Sequence, residues 1–309
     1  MKGRYLVTGG AGFIGSHLCD RLLSLGAEVV CVDNFFTGQR QNLKTLLPNK
    51  NFSLIEADIV KEVPVTGAFA GVFHMASPAS PVDYYKYPIE TLRIGSIGTE
   101  NVLKVALEKK CPVLLASTSE IYGDPLEHPQ KETYWGNVNS LGPRSCYDEA
   151  KRYLEALAMA YWRQHDLQIR IIRIFNTYGP RMRAGDGRVV PNLCLQALEG
   201  KPLTVYGTGS QTRSFCYVDD LVSGIVKVME SNDTGPFNLG NPTETTVLEF
   251  AKAIIRLTES KSQIVYQPLP QDDPQRRKPD ITKAETKLGW SPKVKLDEGL
   301  RHTIDFFRV

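Results

Sequence analysis

Residues 4–33, RYLVTGGAGFIGSHLCDRLLSLGAEVVCVD, contain the pattern that decides the fold. Their apolar residues predict a strand over Arg4–Thr8, a helix over Phe13–Leu25 and a second strand over Glu28–Asp33. The glycines between the first strand and the helix permit a tight turn and a close approach of the backbone to a phosphate group. The stretch therefore predicts a βαβ unit with a dinucleotide site at the N-terminus of its helix.

An acidic residue ends the second predicted strand. Asp33 is expected to accept hydrogen bonds from the adenosine ribose hydroxyls and to repel a 2′-phosphate. The pattern therefore favours NAD over NADP. A glycine-rich loop followed by an incidental aspartate is the structural alternative, and the spacing of the motif disfavours it.

Further strands and helices alternate along the chain. Strands are predicted over Phe52–Ala57, Gly71–Met75 and Val113–Ser117, and a helix over Thr91–Lys109. This alternation predicts a Rossmann-type, doubly wound parallel α/β sheet that binds its ligand at the carboxyl ends of the strands. We expect residues 1–175 to form the NAD-binding domain, with 212–240 returning to it, and residues 176–309 to form mainly a smaller C-terminal α/β substrate lobe.

Composition excludes several classes of protein. The 309 residues are 42% hydrophobic and 23% charged, as in an ordinary globular protein, and the net charge of +3 argues against nucleic-acid binding. No apolar run is long enough to span a membrane. The six scattered cysteines, without CxxC spacing, predict reduced thiols, a cytoplasmic location and no metal site.

The second informative stretch combines a tyrosine and a lysine four residues apart. Tyr147 and Lys151 are expected on one face of a helix, near Thr118 at the end of the Val113 strand. The ammonium of Lys151, together with a positive nicotinamide, is expected to lower the pKa of the Tyr147 phenol. Tyr147 then takes the proton of a substrate hydroxyl that Thr118 orients. The alternative is a chance pattern on a surface helix, since this spacing is common in helices.

Several motifs resemble those of a known family. TGGAGFIG (8–15), STSEIYGD (117–124) and the tyrosine–lysine pair are similar to the extended short-chain dehydrogenases/reductases that modify nucleotide sugars. Longer stretches resemble the UDP-glucuronate decarboxylase branch: YWGNVNSLGPRSCYDEAKR (134–152), IFNTYGPRM (174–182), DGRVVPN (186–192), PLTVYGTGSQTRSFCYVDDL (202–221), PQDDPQRRKPDI (270–281) and KLGWSP (287–292).

The resemblance implies a reaction and a set of site residues. It implies decarboxylation of UDP-glucuronate to UDP-xylose through a 4-keto intermediate, with NADH recycled in the site. The implied catalytic residues are Tyr147, Lys151, Thr118, Glu120 and Arg277. The turn, the strand ends and the resemblance together predict these cofactor contacts: Gly9, Gly12, Phe13, Ile14, Gly15, Asp33, Asn34, Phe35, Thr37, Gly38, Asp58, Ile59, Met75, Ala76, Ser77, Ala116, Tyr147, Lys151, Thr177 and Arg188.

The predicted substrate contacts lie mainly in the second half of the chain. They are Tyr85, Arg93, Asn101, Glu120, Asn176, Val190, Tyr206, Gln211, Arg213 and Arg277. Asn176 and Arg213 suit a diphosphate, and Tyr206 suits a position beside uracil. The sequence Arg93-Ile94-Gly95 departs from the Lys-Thr-Asn that is usual in animal and plant decarboxylases. Glu120 is expected to position a water or to act as an acid/base.

Three other functions are weighed against this one. A dTDP-glucose 4,6-dehydratase is disfavoured because Ser119 stands where that enzyme carries an aspartate. A nucleotide-sugar 4-epimerase is disfavoured by Glu120, since such enzymes lack that acid. A non-catalytic NAD-binding module has no reason to retain Thr118, Tyr147 and Lys151 together.

The resemblance also implies a homodimer. Two predicted helices, Thr91–Lys109 and Cys146–His165, match a pair that forms a four-helix seam in this family. Their apolar stripes contain Leu92, Val102, Val105, Ala106, Ala150, Tyr153, Leu154, Leu157 and Tyr161. The alternative is that both stripes face the sheet.

Overall fold

The computed structural model describes residues 1–268 and 277–308. Its first three elements follow the prediction closely. The first strand, β1, spans Arg4–Thr8, the helix α1 spans Phe13–Ser24, and β2 spans Glu28–Asp33. The helix ends one residue early because the backbone turns at Leu25 into Gly26, which has a φ of +83°.

Seven parallel strands form the main sheet. Their order is β11 (Phe237–Leu239), β6 (Ile169–Ile174), β5 (Val113–Thr118), β4 (Gly71–His74), β1, β2 and β3 (Phe52–Glu56). The remaining strands form two-stranded pairs outside it. After β2 the strands are β3 (Phe52–Glu56), β4 (Gly71–His74), β5 (Val113–Thr118), β6 (Ile169–Ile174), β7 (Thr177–Tyr178), β8 (Leu203–Tyr206), β9 (Thr212–Ser214), β10 (Cys216–Tyr217), β11 (Phe237–Leu239), β12 (Glu244–Thr246) and β13 (Ile264–Gln267). This order is that of a doubly wound Rossmann sheet with one added strand, and it confirms the predicted fold class.

Helices cover both faces of the sheet. After α1 they are α2 (Pro81–Lys86), α3 (Pro88–Arg93), α4 (Thr99–Glu108), α5 (Ser145–His165), α6 (Val189–Leu198), α7 (Val218–Glu230), α8 (Val247–Thr258), α9 (Thr282–Leu288) and α10 (Leu296–Phe307). Leu6 of β1 packs in the core that α4 and α5 cover, whereas the next residue, Val7, packs in the core that α1 and α7 cover. Both faces are therefore apolar, as in other buried parallel sheets.

The single helix predicted over Thr91–Lys109 is divided into three segments. A π-helical segment, Ile94–Gly98, separates α3 from α4. A Cβ atom on Gly95 would lie 2.6 Å from the Cβ of Ala150 in α5, so the backbones approach closely at this point. The predicted helix is therefore present, and it runs without interruption from Pro88 to Glu108, but its π-helical segment is a feature that the sequence pattern does not show.

A smaller lobe lies beside the carboxyl ends of the main strands. In this lobe β8 pairs with β13, and α6 and α8 pack against each other. None of the helices among residues 1–268 and 277–308 combines the length and apolar character needed to cross a membrane. All six cysteines are buried and free.

Candidate active site

One cavity of about 540 Å³ lies between the sheet edge and the smaller lobe. All the predicted catalytic residues line it, and so do all the predicted cofactor contacts except Phe35. The carboxyl ends of parallel strands meet there, which explains why residues from distant parts of the chain converge.

The glycine turn forms a backbone cradle at one end of the cavity. Gly9 has a φ of +73°, and a Cβ atom there would lie 2.6 Å from the backbone of Ala76. A Cβ on Gly15 would lie 2.1 Å from the carbonyl oxygen of Gly9. Gly12 precedes α1 without a side-chain cap, so the first N–H groups of the helix are available to an anionic ligand. The turn therefore fits a pyrophosphate.

Asp33 occupies the position expected of a ribose-binding acid. Its Oδ2 accepts a hydrogen bond from Ala11 N at 2.9 Å, and its Oδ1 accepts one from Phe35 N at 2.8 Å. Burial raises the pKa of Asp33, and these two hydrogen bonds oppose the rise. Phe35 contributes this N–H, while its side chain lies outside the cavity lining and contacts Arg40.

Tyr147 and Lys151 lie at the start of α5, as predicted, and both are buried. Thr118 lies beside Tyr147 on the cavity lining, and its side chain opposes the rise in the pKa of Tyr147. Lys151 Nζ donates to the carbonyl oxygen of Ala116 at 2.7 Å and lies 5.9 Å from the centre of the Tyr147 ring. The tyrosine and the threonine are thus placed to bind the same substrate hydroxyl.

The pKa values of this pair differ from the expectation. Burial raises the pKa of Tyr147 well above that of a free phenol, and burial lowers the pKa of Lys151 to about 8. The predicted net lowering at Tyr147 therefore does not occur with the protein's own groups, because burial outweighs the opposing effects of Thr118 and Arg188. Of the two causes that were expected to lower this pKa, only the positive charge of the nicotinamide is left.

Glu120 is held by two guanidinium groups. Arg277 contacts both of its carboxylate oxygens, one of them at 2.9 Å, and Arg144 Nη2 donates to Oε2 at 2.6 Å. Burial alone would raise the pKa of Glu120, but Arg277 and Arg144 outweigh burial and lower the pKa to about 2. Glu120 is therefore ionised at neutral pH, and this arrangement favours its predicted positioning role over that of a proton donor.

The smaller lobe supplies the opposite wall. Gln211 Nε2 donates to the carbonyl oxygen of Tyr206 at 2.8 Å, which fixes two of the predicted substrate residues relative to each other. The predicted substrate residues on the cavity lining are Tyr85, Glu120, Asn176, Val190, Tyr206, Gln211, Arg213 and Arg277.

Two predicted substrate residues lie elsewhere. Arg93 is exposed on α3 and is outside the lining. Asn101 Nδ2 donates to the carbonyl oxygens of Ile59 at 2.9 Å and Val60 at 3.3 Å. It therefore stabilises the segment after β3, where a cofactor contact is predicted at Ile59. Of the quoted stretch 270–281, residues 270–276 lie outside the described residues.

Sequence reasoning missed several lining residues. The ring of Tyr84 stacks on that of Tyr147, with centroids 5.2 Å apart and an interplanar angle of 10°. Arg144 precedes Tyr147 by three residues, and this helical spacing could have indicated it. Asp83 and Arg183 form an ion pair on the cavity lining although they are 100 positions apart, and no local pattern signals such a pair.

Comparisons with known proteins agree with this geometry. A family model described as GDP-mannose 4,6 dehydratase matches residues 6–303. UDP-glucuronic acid decarboxylase 1 of Danio rerio is 55% identical over 304 residues, which cover 98% of this chain and 72% of that protein. UDP-glucuronic acid decarboxylase 1 of Arabidopsis thaliana is 53% identical over 305 residues, covering 99% of this chain and 70% of the relative.

A solved structure gives the same result for the fold. UDP-glucuronic acid 4-epimerase from Bacillus cereus, in complex with UDP-glucuronic acid and NAD, matches with a TM-score of 0.88 and 30% identity. The match covers 99% of each chain. The chain therefore belongs to the extended short-chain dehydrogenase/reductase family that the GDP-mannose 4,6 dehydratase model describes, and within it to the UDP-glucuronic acid decarboxylases.

Proposed function

We propose that this chain binds NAD and converts UDP-glucuronate into UDP-xylose and carbon dioxide. One observation carries the proposal: the Tyr147–Thr118 pair shares a cavity with Glu120 and the two guanidinium groups that hold it. The first pair suits oxidation of a hydroxyl. The second group has one more positive than negative charge, which suits a substrate that carries a carboxylate.

The residues present fit NAD. The Gly9–Gly15 turn would hold the pyrophosphate, Asp33 the adenosine ribose, and the strand ends at Asp58 and Met75 the adenine side. When bound, NAD supplies a hydride acceptor for the sugar and afterwards a hydride donor. The carboxylate of Asp33 repels a 2′-phosphate, so the proposal includes selectivity for NAD over NADP.

Tyr147 is proposed to move the proton at carbon 4 of the sugar. Thr118 orients the 4-hydroxyl. The Tyr147 oxygen takes the proton of this hydroxyl while carbon 4 gives up a hydride, and for this step Tyr147 would be a phenolate, which the positive charge of a bound nicotinamide would favour. Lys151 holds its positive charge near the tyrosine below a pH of about 8. At the end of the cycle Tyr147 returns the proton to the carbon-4 oxygen, so the enzyme regains its starting state.

The second step uses the ketone formed at carbon 4. This ketone is β to the carboxylate, so the electron pair of the breaking C5–C6 bond moves toward the keto oxygen as carbon dioxide leaves. Carbon 5 then takes up a proton. Arg277 and Arg144 are positioned to neutralise the carboxylate before it leaves, and Glu120 keeps these two guanidinium groups in place.

The residue at the position of the dehydratase acid does not support the 4,6-dehydratase alternative. Elimination needs a carboxylic acid that protonates the 6-hydroxyl as it leaves. Ser119 occupies the relevant position at the sheet edge and is 2% exposed, and its hydroxyl is too weak an acid for that task.

Incubation with UDP-glucuronate and NAD tests the function directly. We expect mass spectrometry to show a nucleotide sugar that has lost one carbon dioxide, with the mass of UDP-xylose. dTDP-glucose serves as the competing substrate. Loss of water from dTDP-glucose without decarboxylation of UDP-glucuronate would overturn the proposal.

The assembly and the location of the chain also remain proposals. A homodimer is supported by Ile89, Leu92, Ile97 and Tyr153, which are at least 41% exposed on α3, the π-helical segment and α5. A cytoplasmic location is supported by the six cysteines, because all are buried and free.

A further inference from the structure

Two charged residues that the proposed reaction does not use form an ion pair on the lining of the cavity. Asp83 lies in α2, and Arg183 lies in the loop between β7 and α6. Arg183 Nη2 donates to both carboxylate oxygens of Asp83, at 2.8 and 2.7 Å. The pair therefore connects the cofactor-binding side of the cavity to the loop that faces it.

The backbone of this loop rests directly on α2. Gly187 has a φ of +75°, and a Cβ atom there would lie 2.5 Å from Cγ2 of Val82. Asp186 is buried and accepts hydrogen bonds from the backbone N–H and the guanidinium of Arg188. Hydrogen bonds within the loop thus stabilise its conformation, and the Asp83–Arg183 pair adds a contact between the loop and α2.

The Asp83–Arg183 contact lies near residues that are expected to bind the cofactor. The Arg188 guanidinium lies 5.8 Å from the centre of the Phe13 ring at the start of α1, and its charge acts on Tyr147. Tyr84, next to Asp83, stacks on Tyr147. A dinucleotide held by the glycine turn must extend to Tyr147 to exchange a hydride there. The contact therefore lies on the cavity lining near the path from the glycine turn to Tyr147 that the dinucleotide would take.

We propose that Asp83 and Arg183 form a latch that retains NAD in its channel, and that both act as positioning residues. The side chains are 12% and 29% exposed, so the pair reaches solvent and can open without leaving a deeply buried charge. The purpose of the latch rests on the proposed function, in which the cofactor is reduced and reoxidised in one site. Retention of the cofactor can be measured in the absence of the sugar substrate.

The test measures dissociation of NADH from the full chain. Protein loaded with NADH is mixed with excess NAD, and the decay of bound-NADH fluorescence gives the dissociation rate. We expect Asp83→Asn and Arg183→Gln to dissociate about three- to tenfold faster, the effect of losing a partly buried bidentate pair. Asp83→Arg combined with Arg183→Asp should recover most of the loss.

A matched control exists on the smaller lobe. Arg256 Nη2 donates to both oxygens of Asp297, at 2.9 and 2.8 Å, and neither residue lines the cavity. Arg256→Gln should therefore leave the NADH dissociation rate unchanged. Added salt should accelerate dissociation more in the unmodified protein than in Asp83→Asn, because only the former has the pair to screen.

The outcomes separate a latch from structural damage. Unchanged dissociation in Asp83→Asn overturns the proposal. Faster dissociation that the exchanged pair does not recover, with the same salt dependence as the unmodified protein, also overturns it. If the chain fails to decarboxylate UDP-glucuronate but the latch variants still release NADH faster, the proposed function fails and the latch stands.

Discussion

Tyr147 is the residue on which the proposed chemistry depends most directly. Replacing it by phenylalanine keeps the ring that stacks on Tyr84 and removes the phenolic oxygen. We expect turnover of UDP-glucuronate in Tyr147→Phe to fall by roughly 10²–10⁴-fold, the usual contribution of a general acid/base. Mass spectrometry of the products and NADH absorbance measure the loss.

The same experiment distinguishes chemistry from folding. Tyr147→Phe should still bind NAD, because the glycine turn and Asp33 are unchanged. Glu120→Ala should also bind NAD, but it releases Arg144 and Arg277 and should impair decarboxylation. Near-normal turnover in Tyr147→Phe would show that another group performs the proton transfer.

Asp148, the residue after Tyr147, is a buried carboxyl without a task in the proposed reaction. No residue among 1–268 and 277–308 is hydrogen bonded to its Oδ1. Burial, followed by the charge of Glu120, raises the pKa of Asp148 to about 7, although Arg144 and Arg277 oppose the rise. In the unfolded chain this group has its ordinary, lower pKa. The folded protein therefore holds a proton there that the unfolded chain releases, and stability is lost as the pH rises from about 4 to 7.

Asp148→Asn removes this loss. The free energy of unfolding of the variant should increase relative to the unmodified protein by on the order of 1–3 kcal/mol between pH 5 and pH 7.5. Urea unfolding at several pH values provides the measurement, with Asp305→Asn on the exposed face of α10 as the control. A difference that does not vary with pH would contradict the assignment.

At the scale of elements, the close approach of the π-helical segment to α5 has a measurable cost. In Gly95→Ala the new Cβ would lie 2.6 Å from the Cβ and 3.0 Å from the carbonyl oxygen of Ala150. We expect the variant to lose about 1–3 kcal/mol of unfolding free energy, as in other overpacked contacts. Gly185→Ala, which meets nothing within 4 Å, should change stability by less than about 0.5 kcal/mol. Equal stability of the two variants in urea would contradict the crowding.

The elements also show what a sequence can predict. The β1–α1–β2 unit depends on local periodicity and on glycines, and both are visible in one short stretch, so its bounds agree to within a residue. The close approach at Gly95 involves Ala150 in α5, and the Asp83–Arg183 pair joins residues 100 positions apart. Such features follow from the packed structure, and single-chain patterns do not contain them.

Most of the site could be predicted from the sequence for a related reason. Residues at strand ends meet at one edge of a parallel sheet, so placing the strands also placed Thr118 and Glu120 in the cavity. The direction of the Tyr147 pKa shift was not accessible, because it depends on how deeply the phenol is buried and on what Lys151 contacts. The division into 1–175 and 176–309 stays a prediction.

For the whole molecule, the predicted dimer stripes separate into two sets. Val102, Ala106 and Leu154 are buried in the core between the sheet and its helices. Leu92 and Tyr153 are 42% and 48% exposed. Leu92 and Tyr153 are therefore the stripe residues most available to a partner chain, since Val105, Leu157 and Tyr161 are partly buried against the same core.

We expect sedimentation to show a dimer at micromolar concentration. Leu92→Asp combined with Tyr153→Asp should shift the protein toward the monomer, because two charges would have to be buried in the seam. Leu47→Asp, at a site that is 52% exposed outside these helices, is the control and should remain dimeric. A monomer in the unmodified protein would refute the dimer.

The position of β11 at the edge of the main sheet has a consequence for synthesis on the ribosome. Phe237–Leu239 pairs with Ile172–Ile174 in β6, so more than sixty residues separate the two strands. Until those residues emerge, a nascent chain that has already assembled β1–β6 exposes an unpaired, largely apolar strand edge. Such an edge can pair with another chain. The interval between translation of β6 and of β11 is therefore when this protein most needs protection from aggregation by a chaperone.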